Sequence, residues 1–427
     1  MEGGTCPTLP SAPTRASRFP RGKKRKMSNA AARSSKESRT ESVARSWTPK
    51  PVLDPEITKD LPLIDAYVGI LKEKKDISKA IKAISIVLPG FDHLKRCSSN
   101  KILLASVKSF DTNDDTPNQE RLKAFLEEKA FDLGLLEDDL RVVKVPGTSA
   151  RSKAQAARAS KVWPLKFHPD PFLEAIVDGS IFNEDQLRGI DKYMMVAVTA
   201  AKLEAVGDSN CNGSAVIVDP EDGGKVLAIA ASKMDRHPMW HASMLAVDLV
   251  AKLHGGGAWN LYEEERVGPS RVAEGSFERR MKTIKRKYEE EAPLCYPRTL
   301  SDIEIPSVGS LEAKWKLQGR RNNGPKKADV IAEPSTSEKC GPYLCTGCWV
   351  FLLKEPCPMC AMALLHSRAA RIFYGASNER TGVLGSNGTL HALPGLNHRY
   401  LVWSGILEGV CKEVANEIQR RNVEPVD

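Results

Sequence analysis

No run of 18 apolar residues occurs in the 427-residue chain, so no segment is expected to cross a bilayer as a helix. The first residues, MEGGTCPTLPSAPTRASRFP, lack the apolar stretch of a secretory leader. We therefore expect an intracellular protein whose ten cysteines are reduced, so that any that cluster are better used on a metal than in disulfides. Acid is scarce in two places. Residues 1 to 50 hold twelve Lys or Arg against only Glu2, Glu37 and Glu41, which accounts for the whole net charge of +9. With few aromatics and much Ser, Ala and Pro, residues 1–55 are expected to form a disordered basic tail. Its RGKKRK segment suits nuclear import or RNA phosphates, which points to the nucleus and cytoplasm. The second stretch, from Arg141 to Lys166, has no acid at all and holds Arg141, Lys144, Arg151, Lys153, Arg158, Lys161 and Lys166. Around a linker at 148–171 these seven would make a track for RNA phosphates.

What is present reads as α/β throughout. Residues 56–147 alternate strand-like and helix-like patterns: LIDAYVGIL, a helix with Ile77, Ala80, Ile81, Ile84 and Leu88 on one face, KILLASVKSF, a helix after Thr116 and Pro117, and LRVVKVPG. If HLKRC is also a strand, the order βαββαβ is that of a small ferredoxin-like domain. From about residue 172 to 420 a second domain follows. It has a long core helix in DQLRGIDKYMMVAVTAAKLEA, a hairpin from SAVIVDP and GKVLAIAA, and a helix carrying His241. After a Gly-, Glu- and Pro-rich insertion at 255–340, expected to be disordered apart from the charged helical piece SFERRMKTIKRKYEEE, come the strand CWVFLLKE, the helix in PCPMCAMALLHS and the strand ARIFYG. Such alternation implies a sheet covered by helices.

The strongest chemical signal is KEPCPMCAM. Cys357 and Cys360 fall at a helix start, where backbone N–H groups and the helix dipole favour thiolates, and an i, i+3 pair can grip one ion. With His241 at the start of an earlier helix, the set offers three protein ligands and one open position, the pattern of a catalytic zinc site. A four-cysteine site from Cys345, Cys348, Cys357 and Cys360 is the alternative, although the strand-like WVFLLKEP would hold its two pairs roughly 25 Å apart. His237, followed by Pro238, reads as a helix-start residue rather than a ligand. His366, His391, His398, Trp240, Trp349 and Trp403 read as structural.

His-Ala-x at 241–243 with Pro-Cys-x-x-Cys at 356–360 resembles the cytidine and tRNA adenosine deaminase superfamily. PYLCTGCWVFLLKEPCPMCAMALLHSRAARIFYG and LNHRYLVW are similar to the eukaryotic tRNA-specific adenosine deaminases, and Ser243 in place of a glutamate, the long basic N-terminal extension and the α/β N-terminal domain together resemble the group's non-catalytic, third member. The resemblance implies a cytidine deaminase-like three-layer α/β/α domain with Zn2+ on His241, Cys357 and Cys360. It also implies a heterodimer with a catalytic deaminase subunit that makes inosine at the anticodon wobble position, and tRNA as a partner.

In active relatives a glutamate two residues after the histidine shuttles protons, work worth about 10² to 10⁴ in rate. Here that position is Ser243, whose hydroxyl titrates far above neutrality. Active relatives also clamp the flipped base with an Asn between the second strand and the ligand helix, and residues 214–240 contain none. Asp248 lies too far along the helix to substitute, and Glu355 is expected to be structural. The chain itself is therefore expected to be non-catalytic. A zinc-stabilised RNA-binding module without a deaminase partner, or a self-sufficient deaminase with an unusual shuttle, are the alternatives.

Overall fold

In a computed structural model the structure describes residues 45, 47–110, 119–207, 213–261, 292–308 and 343–421. RGKKRK, Thr116 and Pro117, and SFERRMKTIKRKYEEE lie outside the described residues. The elements in chain order are β1 (Lys50–Pro51), α1 (Pro55–Thr58), β2 (Leu63–Ile70), α2 (Ile77–Val87), β3 (Cys97–Ser98), β4 (Lys101–Ser106), α3 (Gln119–Glu128), β5 (Arg141–Pro146), α4 (Lys153–Ala159), α5 (Pro171–Asp178), α6 (Glu184–Glu204), β6 (Ser214–Asp219), β7 (Lys225–Ala231), α7 (Ala242–Leu253), β8 (Leu294–Tyr296), β9 (Trp349–Lys354), α8 (Pro358–His366), β10 (Arg371–Ala376), β11 (Leu401–Ser404) and α9 (Glu408–Arg421).

Four strands in the order β3-β4-β2-β5, all antiparallel, form the first sheet. Alternation along the pleat divides its residues between two cores. Tyr67, Ile102 and Leu104 pack with Ala80 and Ile84 of α2 and Leu122 and Leu126 of α3. Ala66, Val68, Leu103 and Val145 point the other way, onto Ala156, Ala159, Trp163 and Leu165. The stretch 148–171 is therefore no bare linker. Ser152 caps α4 by accepting from the Gln155 N–H, and the helix closes the second face of the sheet. Of HLKRC only Cys97 joins a strand, while Leu94 makes a single bridge with Leu165.

The larger sheet has seven strands in the order β1-β11-β10-β9-β6-β7-β8. β9, β10 and β11 are parallel, and β6 runs antiparallel between β9 and β7. Central strands β6 and β9 are buried along nearly their whole length, which is why SAVIVD and WVFLLK read as continuous apolar runs. One face carries α6, opened by a reciprocal Asn183–Gln186 capping box, together with α9; the other carries α7 and α8.

Two expected boundaries move. Trp47 is buried with its indole N–H donating to Asp191 at 2.8 Å, and β1 pairs with β11, so the basic tail gives way to folded chain before residue 55. Within 255–340, β8 pairs parallel to β7 and is followed by a short 3-10 turn, Arg298–Asp302. Part of the insertion is thus structure of the sheet itself.

Candidate metal centre

β7 and β9 point the same way with β6 between them, so their carboxyl ends lie two strand spacings apart, roughly 10 Å. α7 follows the first and α8 the second, both on one face, and their amino-terminal ends converge there. His241 is the residue before α7, and Cys357 the residue before α8 with Cys360 in its first turn. The His241 Nδ1 lies 3.4 Å from the Cys360 Sγ and 3.6 Å from the Cys357 Sγ. All three side chains are buried, and their ligand atoms lie within 4.8 Å of one another. In a tetrahedral site with metal–sulfur near 2.3 Å and metal–nitrogen near 2.0 Å, such edges are about 3.6 Å. The donor set and its spacing fit a zinc ion. Two helix amino termini aimed at the cluster favour the thiolate form that a metal needs.

Ser243 is buried in the first turn of α7. It lines a cavity of about 20 Å³ with Gly213, Ser214, Leu352, Lys354, Glu355 and Pro356, room for about one water. Neither nearby acid faces a proton-transfer role. Asp248 is buried along α7, ion-paired with Lys252 at 2.8 Å and accepting the Ala258 N–H, so it secures the chain after the helix. Glu355 is 1% exposed and accepts the N–H groups of Asn378 (3.0 Å), Leu384 (2.8 Å) and Ser386 (3.0 Å) and the Ser386 hydroxyl. Its oxygens are spent on the loop after β10. A Cβ at Gly382 would run into this carboxylate, so glycine there is a packing requirement.

The four-cysteine alternative does not form. Among the described residues the candidate metal cluster is His241, Cys357 and Cys360 alone, with Cys345 and Cys348 at the other end of β9. Burial pushes the Cys345 thiol up to about 12 and Cys348 well above its ordinary value. His237 sits in the turn before α7, its Nδ1 accepting the Met239 N–H at 3.1 Å. His391 and His398 bond the carbonyls of Val52 and Ala369, and His366 is exposed at the end of α8. Trp240, Trp349 and Trp403 are core residues.

The seven basic residues divide by what they touch. Lys144 pairs with Asp65 at 3.4 Å, Arg151 with Asp54 at 3.2 Å and Arg158 with Asp60 at 2.5 Å. Arg141, Lys153, Lys161 and Lys166 are exposed and make no ion pair among the described residues. Charge read along the sequence, without its partners in space, does not show that division.

No family model matches the chain. It is 30% identical to "Probable inactive tRNA-specific adenosine deaminase-like protein 3" of Danio rerio, across 87% of this chain and 95% of that one. It is equally similar to the Homo sapiens protein of the same name, at 30% across 86% and 91%. To "tRNA-specific adenosine deaminase TAD3" of Arabidopsis thaliana it is 25% identical, across 84% and 94%. A solved structure from a study of A-to-I editing by tRNA:A34 deaminases shares 16% identity over 47% of this chain and 83% of its own. Its TM-score is 0.24, too low to carry weight.

Proposed function

The chain belongs to the family of tRNA-specific adenosine deaminase-like protein 3, and from that membership we propose that it is the non-catalytic subunit of a heterodimeric tRNA adenosine deaminase. A partner chain with an intact His-x-Glu site converts the wobble adenosine of tRNA anticodons to inosine. This chain completes the dimer, contributes to tRNA binding, and holds Zn2+ through His241, Cys357 and Cys360. The observation that supports the reading is the buried His241, Cys357 and Cys360 cluster, spaced as a metal ion would need, beside Ser243, where a proton shuttle would stand. When bound, the ion would tie two helix amino termini together and contribute folding free energy directly.

The test is to purify the chain alone and with its partner, then measure zinc content and inosine formation. Zinc in both samples and inosine only in the pair is expected; robust activity from the lone chain would overturn the reading and favour a self-sufficient deaminase.

Ser243→Glu is expected to leave the lone chain inactive. A restored shuttle would offer about 10² to 10⁴ in rate, easily seen in an inosine assay, but the base clamp is absent and the cavity at Ser243 has room for about one water. Measurable inosine from this variant would show that the missing shuttle was the whole defect.

For tRNA, neutralising Arg141, Lys153, Lys161 and Lys166 together is expected to weaken binding and to flatten its salt dependence. The slope should fall by about 0.7 to 0.9 for each phosphate no longer neutralised by the protein. Removing Arg151 or Arg158 should first disturb the packing of α4, because carboxylates already hold them. Unchanged affinity in the fourfold variant would reject the track.

A further inference from the structure

The loop between β7 and α7, residues 232–241, delivers His241 to the cluster, so whatever fixes that loop fixes the ligand. Its inner side is fixed by backbone: the Lys233 N–H donates to the Trp240 carbonyl and the Trp240 N–H to the His237 carbonyl, both at 2.9 Å. The Lys233 ammonium pairs with Glu204 at 2.8 Å. The outer side of the loop is held by β8. That strand lies beside β7 with Tyr296 level with Ala230, one residue short of the end of β7. The Tyr296 ring, fully buried, stands edge-on to Trp240 at 5.5 Å and 84°, and Arg236 donates to the Tyr296 hydroxyl at 3.2 Å. Thr299, just beyond, donates to the same Glu204 that holds Lys233, at 2.6 Å. The residue touching the Tyr296 ring, Trp240, is the one covalently joined to His241.

We propose that the β8 segment, through Tyr296, is a positioning clasp for the metal ligand His241. The inference rests on the zinc reading above and adds to it a role for a piece of chain that sequence patterning assigns to a disordered insertion. Tyr296 touches no ligand atom. It acts through Trp240 and Arg236 by limiting how far the 232–241 loop can swing, so that the imidazole stays aimed at both thiolates during thermal opening. Groups hydrogen-bonded directly to a metal ligand change metal affinity by about 10- to 100-fold when removed, and Tyr296, which acts through the neighbouring Trp240, is expected at the low end of that range.

The experiment measures zinc release from the full chain into a colorimetric chelator, alongside the thermal unfolding midpoint. Tyr296→Ala is expected to release zinc about tenfold faster than the natural chain, and Tyr296→Phe, which keeps the ring and drops the Arg236 bond, by an intermediate factor. Tyr193→Phe is the control. Tyr193 is equally buried on the opposite face of the same sheet, its hydroxyl donating to the Gly224 carbonyl, and its loss should lower the unfolding midpoint without hastening release. A natural chain that carries no zinc would overturn the metal reading itself. A zinc-loaded chain in which both Tyr296 variants release no faster than Tyr193→Phe would overturn the clasp alone.

Discussion

Full-length Cys360→Ala is expected to purify without stoichiometric zinc and to unfold several kcal/mol more easily than the natural chain. Structural zinc in small peptides is worth about 10 to 16 kcal/mol, and that sets the ceiling. The value here falls below it because α7 and α8 are already packed on the sheet through Leu245, Leu249, Ala361 and Leu364. Removing the sulfur leaves one thiolate and one imidazole, a ligand pair too sparse to compete with a chelator. Treating the natural chain with a strong chelator should bring its unfolding midpoint down to that of Cys360→Ala, while the variant should not respond. Cys345→Ala is the contrasting case. Its thiol is buried but outside the cluster, so zinc content should stay at that of the natural chain and stability should fall only by a small cavity cost. A Cys360→Ala protein with full zinc content and an unmoved midpoint would remove His241, Cys357 and Cys360 as the metal site.

The three candidate ligand positions are legible in the sequence because each sits at or just inside a helix start with its own signal. Pro358 opens α8 immediately after Cys357, and an apolar helix follows His241. Pairing them across 116 residues is not a matter of local pattern. It depends on β6 running between β7 and β9, which is a property of strand order. The elements that sequence patterning does not reveal are short or masked by charge. β8 is three residues, LCY, too few to show any period, in a stretch rich in Gly, Glu and Pro. In the segment around α4 the basic residues dominate the pattern, whereas Ala156, Ala159 and Trp163, spaced three and four apart, form the buried stripe that covers the first sheet. Trp47 is the available sign that the basic tail ends early: a large aromatic in a polar stretch, buried against Asp191. Charge patterning finds a basic stretch but not its free members, since the carboxylates of Asp54, Asp60 and Asp65 come from chain far earlier in sequence.

Glu355→Ala should cost about 2 kcal/mol or more, because the buried N–H groups of Asn378 and Leu384 lose their carboxylate acceptor at about 1 to 3 kcal/mol each, whereas the N–H and hydroxyl of the exposed Ser386 can turn to water. Glu355→Gln should cost less but still measurably, since its amide N–H groups would face donors. The loss should be local first. Amide exchange at Asn378, Leu384 and Ser386 should quicken in both variants before global unfolding does, because these groups tie the loop after β10 to the residue preceding Pro356 and Cys357. The same experiment separates a structural glutamate from a surrogate proton shuttle. A shuttle would be silenced by Glu355→Gln with amide exchange untouched, whereas an anchor changes exchange and stability and leaves the inosine rate of the folded, partnered complex near that of the natural protein. Unchanged exchange at those three amides, with lost activity, would return Glu355 to the chemistry and weaken the case that Ser243 leaves this chain without a proton carrier.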